Sequence, residues 1–337
     1  MIDGPSAAAF SGDRRTCLAG IAALALGALG DAAFAQAPAA FPSKTIRIIP
    51  FGTAGGPIDT IARVYAEKLQ QRWGQAVIVD AKPGASGTIA ADAVAKSAPD
   101  GHTVMFTLPL THINNAILQS RLPYDPVKSF EPLSQLAKGG PMLVARADAP
   151  FSNLDELVAF ARKRPSMTYG TWGTGSQAHL MGELLKRQAG IGLIHVPYKS
   201  ESTAHNDLIG GVLDLAWANP ATAKVQSQAG KLKVLGIAAS ARVSTLPNVP
   251  TFAEQGYQGF DLDSWIGVYG PAGMPAPVIA TWVQALQDIT RMPDIQARLT
   301  AFGFDPLGNT PAQFKANFAA DYPRVAELIK AAGVTAE

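Results

Sequence analysis

Apolar positions fall in two alternating rhythms along the chain. Short apolar runs read as buried strands, and longer stretches with apolar residues three and four apart read as amphipathic helices. Ile46, Ile48 and Ile49 sit in a strand predicted over 44–50. The helix predicted over 57–73 follows, with Ile58, Ile61, Ala62, Tyr65 and Leu69 on one face. Pro57 suits its first position, where no N–H is needed, and Gly74 is a natural stop. The same alternation predicts a strand over 76–80, a helix over 88–97 and a strand over 102–107. Residues 120–135, rich in Pro and Asp, read as irregular.

A second series follows. Strands are predicted at 141–145, 167–170, 194–198, 213–217 and 233–238. Helices are predicted at 153–164, from Gln177, at 200–210 and from Asn219-Pro220. A last strand at 265–270 leads to helices at 276–290, 293–301 and 311–331. Two such series, joined by strand-like segments near 138–146 and 262–270, suggest two lobes. The expected division is 41–137 plus 262–337 for the first lobe and 138–261 for the second. Ligands bind at the carboxyl ends of strands in open α/β sheets. The expected site is therefore a cleft between turns of both lobes.

The turns themselves carry a chemical hint. Gly55 and Gly56 precede a helix with Asp59 in its first turn, and Ser86, Gly87 and Thr88 form a second strand–turn–helix junction. Thr107 and Thr111 lie at the end of the third strand, and Thr174 and Ser176 precede a further helix. Helix N-termini present unpaired N–H groups and a partial positive charge, so an anion can sit there. The first turn lacks the Gly-Lys-Ser/Thr of a phosphate-cradling loop and the spacing of a dinucleotide fingerprint.

Composition changes this picture little. Of 337 residues, 47% are hydrophobic and 16% charged, which fits a globular chain, and a formal charge of +2 gives no footprint for nucleic acid. The N-terminus adds an address. Arg14-Arg15, the apolar run Cys17 to Leu29 and Ala33-Phe34-Ala35 read as a signal peptide over 1–35, for Sec or twin-arginine export to the periplasm. Cys17, the one cysteine, leaves with it, so no thiol or disulfide chemistry is expected in the mature chain.

Catalytic machinery is sparse. Gly-x-Ser-x-Gly is absent, and none of the five histidines forms a zinc signature. Ser176 and His179 share a helix face, which leaves a serine hydrolase as a weak alternative, but a serine at an N-cap spends its lone pairs on the helix. No catalytic residue, metal or cofactor is expected. Uncharged donors around a cleft suit reversible capture of a carboxylate.

At this point ordered motifs bring in a family. The chain resembles the Bug receptors, solute-binding proteins of tripartite tricarboxylate transporters. The resemblance rests on Pro50-Phe51 through Arg63, Pro83 through Ile89, Pro99-Asp100-Gly101, Leu122 through Pro126, Gly175-Ser176 with His179-Leu180, Val196 through Lys199, and Pro271 through Pro275. It implies an α/β, two-lobed, type II-like periplasmic binding fold, each lobe a mainly parallel sheet flanked by helices. It implies a small carboxylate or dicarboxylate ligand, a membrane permease as partner, and a monomer. By the same resemblance Gly55, Gly56, Ser86 and Thr88 would hold one carboxylate and Ser176 the ligand's other end. Ala54, Gly87, Thr107, Thr111, Thr174 and Asn219 complete the expected ligand-binding set. Asp59, Arg63, His179 and Tyr198 are expected to brace it. Service to a periplasmic sensor kinase is the alternative to transport. Ala81, His102, Ser200 and Trp217-Ala218-Asn219 depart from the family pattern, and no amine-recognising acid is evident there. Trp172 and Trp217, if in the cleft, would suit an aromatic carboxylate.

Overall fold

The computed structural model describes residues 1–4, 41–164 and 166–334. The signal peptide expected over 1–35 therefore lies almost wholly outside the described residues, and Cys17 lies there too.

The first sheet is built on β1 (Ile46–Pro50), whose buried isoleucines pair in parallel with β2 (Val77–Val79) and β3 (Thr103–Thr107). Helix α1 (Pro57–Trp73) covers one face and ends at Gly74, whose φ of 66° is a left-handed conformation that glycine adopts at no steric cost. Helix α2 (Thr88–Ala95) leads into β3. Beyond β3, Leu110–Asn114 winds as a π-helical turn and runs into α3 (Asn115–Leu118). The chain then enters β4 (Phe130–Gly139). Strand β4 corrects the reading of 120–135 as irregular: its first half falls in that stretch, and almost every β4 residue is buried. The buried polar Ser134 and Gln135 are satisfied by Asn309, from a segment more than 170 positions away, which no local pattern announces.

The second sheet starts at β5 (Met142–Arg146), two residues after β4. It continues through α4 (Leu154–Lys163), β6 (Met167–Thr171), α5 (Gln177–Ala189), β7 (Leu193–Pro197), α6 (Glu201–Ile209), β8 (Leu215–Ala218), α7 (Pro220–Gln228) and β9 (Leu232–Ile237). The chain returns to the first sheet as β10 (Ser264–Pro271) and closes with α8 (Ala276–Thr290), α9 (Pro293–Ala301), β11 (Asp305–Pro306) and α10 (Pro311–Ala332).

Strand order is β11-β4-β10-β3-β1-β2 in one sheet and β7-β6-β8-β5-β9 in the other. Both sheets are mixed. The βα series pair in parallel, whereas β10 runs antiparallel to β3 and β4, and β5 antiparallel to β8 and β9. The antiparallel members include the strands next to the crossings. A strand that passes on into the other sheet does not return through a helical crossover, so nothing forces it to run parallel.

Two cores flank the first sheet. Ile61, Tyr65, Leu69, Trp282, Leu286 and Ile289 pack α1 and α8 against one face, with the buried Tyr65 hydroxyl 2.8 Å from Thr290 Oγ1. On the other side, Trp265, Phe314 and Val325 belong to one continuous apolar cluster with Leu143, Tyr169, Leu180 and Leu184 of the second sheet and its helix. Helix α10 thus joins the two layers.

Candidate ligand-binding site

A cavity of about 490 Å3 lies where the carboxyl ends of strands from both sheets face each other, within the roughly 300–1,000 Å3 usual for small-molecule sites. Three helix starts line it: Gly56 to Ile58 of α1, Ser176 and Gln177 of α5, and Asn219 and Pro220 of α7. Each contributes the positive end of a helix dipole. Leu108, Ile113, Trp172, Met181, Trp265 and Phe304 supply much of the apolar wall.

The first turn is built to hold its shape. Phe51 donates its amide to Phe106 O at 2.7 Å, Gly56 donates to Thr53 O at 3.1 Å, and Gly55 donates to Asp59 Oδ2 at 2.9 Å. Gly52 and Gly55 have φ of 94° and 78°, which a side chain would strain. Asp59 is 1% exposed and receives Arg63 Nε at 2.8 Å. Burial alone would raise its pKa, but the bonds from Arg63 and Gly55 outweigh that and hold the carboxyl below its ordinary value. The amides of Gly52 and Thr53, both in the cavity wall, have no partner among the described residues and are free for an anion.

The second-lobe face is organised in the same way. Ser176 Oγ donates to Gly173 O at 2.7 Å and accepts the His179 amide at 3.3 Å, so its hydroxyl serves the cap. Below it, the His179 and His195 rings stack with centroids 3.7 Å apart. His179 Nδ1 accepts the Gly175 amide at 3.1 Å, and His195 Nε2 lies 2.7 Å from Thr171 Oγ1. Burial lowers both pKa values, that of His195 to about 4. Asn219 caps α7 through Thr222 and gives its backbone and side-chain N–H groups to Glu201. Tyr198 donates to Asp207 at 2.6 Å, and burial together with that carboxylate pushes its pKa up to about 12.

Of the residues expected to meet a ligand, Gly56, Ser176 and Asn219 line this cavity; Ala54, Gly55, Ser86, Gly87, Thr88, Thr107, Thr111 and Thr174 do not. The reasons are local. Thr107 and Thr111 are fully buried and hydrogen-bonded to one another. Gly87 lies under Phe51 and Thr111. Thr88 is buried within reach of Asn115, Ser86 and Thr174 are exposed, and Gly55 has given its amide to Asp59. Trp172 lines the cavity, whereas Trp217 is fully buried and stacks on Phe252. Sequence reading singled out Thr111 but not its cavity-lining neighbours Leu108 to Leu110, Ile113 and Asn114, and it did not point to Trp265, Asp321 or Phe302 to Phe304. Asn114 has structural weight there, because its Nδ2 donates across the cleft to Gly175 O at 2.9 Å.

The two lobes meeting over a donor-lined cavity, with the likeness to solved periplasmic binding proteins, define the class: a two-lobed solute-binding receptor. Comparison with known proteins names the group. The family model described as "Tripartite tricarboxylate transporter family receptor" matches residues 61–334. Protein BugT of Bordetella pertussis is 31% identical over 296 residues, covering 87% of this chain and 90% of BugT. A Rhodopseudomonas palustris protein solved with adipate superposes with a TM-score of 0.78 at 29% identity, covering 88% of this chain and 100% of that one. MatC of the same organism, solved with bound malate, gives 0.73 at 30% identity, covering 86% and 100%. The chain belongs to the tripartite tricarboxylate transporter receptor family, whose members are periplasmic binding proteins.

Proposed function

We propose that this protein is exported with cleavage near Ala35, captures a small organic carboxylate in the cavity, and passes it as a monomer to a membrane permease. The observation that carries this reading is the convergence of three helix N-termini and the free Gly52 and Thr53 amides on one cavity. Among the residues lining it, Lys199 is the only basic side chain, and it is exposed. A carboxylate held by neutral donors and dipoles is bound without a tight ion pair, which suits release. The adipate and malate carried by two relatives support the ligand class. The proposed lobes are 41–137 with 262–337, and 138–261, closing about the crossings between β4 and β5 and before β10. A thermal-shift screen of aliphatic, hydroxy and aromatic carboxylates tests the proposal. A ligand at 100 times its Kd should stabilise the protein by about 2.7 kcal/mol. A panel with no shift contradicts it.

A further inference from the structure

One wall of the cavity has a chemistry that the turn amides do not explain. Asp321, on α10, lines the cavity, and among the described residues its carboxylate has neither an ion-pair nor a hydrogen-bond partner. Nearby charges are already committed. Arg324, the next turn along, is paired with Asp261. Lys138 Nζ is 2.9 Å from Asp263, which also accepts from Ser240. Glu201, another acid in the wall, is spent on Asn219. Asp321 is the acid left free. Burial, opposed by Arg324 and reinforced by Asp263 and Asp261, raises its pKa to about 6, so at neutral pH it is mostly ionised.

A carboxamide or hydroxyl at the far end of a guest donates to this free carboxylate. A second carboxylate there sets like charge against Asp321, and an unpaired or repelled charge is how a site rejects a competitor.

Resting on the carboxylate reading of the turn, we propose that Asp321 is a specificity-determining residue: the receptor selects a monocarboxylate with an amide or hydroxyl at its far end over the dianionic dicarboxylate of equal length.

The test titrates the intact protein, near neutral pH, with succinate, glutarate and adipate, each against its own monoamide. The wild type is expected to bind the preferred monoamide about ten-fold or more tighter than its parent diacid. Asp321→Asn is expected to bring the pair to within about two-fold, or to reverse it. The comparison is internal to each variant, so partial loss of folded protein does not mimic the result. A wild type that prefers the diacid, or a ratio unchanged in Asp321→Asn, overturns this inference while leaving carboxylate capture intact. Binding of no member of the panel overturns both.

Discussion

The Asp59 carboxylate accepts the Gly55 amide four residues before it, at 2.9 Å, from a position 1% exposed. A first-turn acid therefore closes the cavity-lining turn onto its own helix, and Arg63 holds that acid from the next turn. Of the two glycines the sequence pointed to, Gly55 gives its amide to Asp59 and Gly56 gives its amide to Thr53 O, while the amides of Gly52 and Thr53 have no partner among the described residues. Asp59→Ala should cost about 1–3 kcal/mol, the usual loss when a charged hydrogen-bond partner is removed. It should also weaken ligand binding, while Asp59→Asn, which keeps an acceptor for Gly55, should retain more of both. Chemical denaturation and titration of the two variants check this. The pH sign follows from the lowered pKa. Asp59 stabilises the fold above the ordinary carboxyl pKa of about 4, and that contribution is lost as pH falls through its depressed value.

Gly140 sits between β4 and β5, where the chain crosses from one sheet to the other, and lines the cavity. A Cβ there would lie 2.0 Å from Ala238 O and 2.8 Å from Ala239 Cβ. Two backbones pass too closely for any side chain. Gly140→Ala is expected to destabilise the protein by about 1–3 kcal/mol, the range for overpacking, read from the midpoint of a urea melt. A variant as stable as wild type would show that this crossing yields easily.

The stacked His179–His195 pair predicts an acid-sensitive second lobe. Both pKa values are depressed, so the unfolded chain binds more protons than the folded one between about pH 4 and the ordinary histidine value near 6.5. Stability from the pair is complete above that ordinary value and declines as pH falls towards 4. Protonation of His179 Nδ1 also removes the acceptor for the Gly175 amide. His179→Gln should flatten this part of the melting-temperature profile. An unchanged profile would dissociate the pair from acid sensitivity.

Asp321 predicts a pH dependence of ligand choice. The charged groups around it are Arg324 on its own helix, and Asp261 and Asp263 on the segment before β10, with Lys138 held on Asp263. Acidification through about pH 6 neutralises Asp321. The disadvantage of a second carboxylate should shrink there in wild type and not in Asp321→Asn. Calorimetric titrations above and below this value check it.

Much of the fold is legible in the chain because its punctuation is strong. Helices 57–73, 276–290 and 293–301 match the structure residue for residue, each with a proline in its first turn. Strand β4 is not legible: it is buried on both faces, so alternation disappears, and its polar pair is satisfied only by Asn309. The site divides the same way. Gly56, Ser176 and Asn219 mark helix starts that do line the cavity. Thr107 and Thr111 are equally inviting in sequence, but both are fully buried and spend their hydroxyls on one another. Trp265 and Asp321 reach the cavity from the return strand and the last helix, and that convergence is a property of the tertiary fold.

In the proposed function the free Gly52 and Thr53 amides hold a guest's carboxylate. Calorimetric titration of the wild type and of Thr53→Asp, which sets an exposed like charge at the free donors, tests it most directly. The expected result is saturable one-to-one binding of a small carboxylate by the wild type, weakened about ten-fold or more in a folded Thr53→Asp. Equal affinity in both proteins, or no carboxylate heat in either, would show that these amides do not hold the carboxylate.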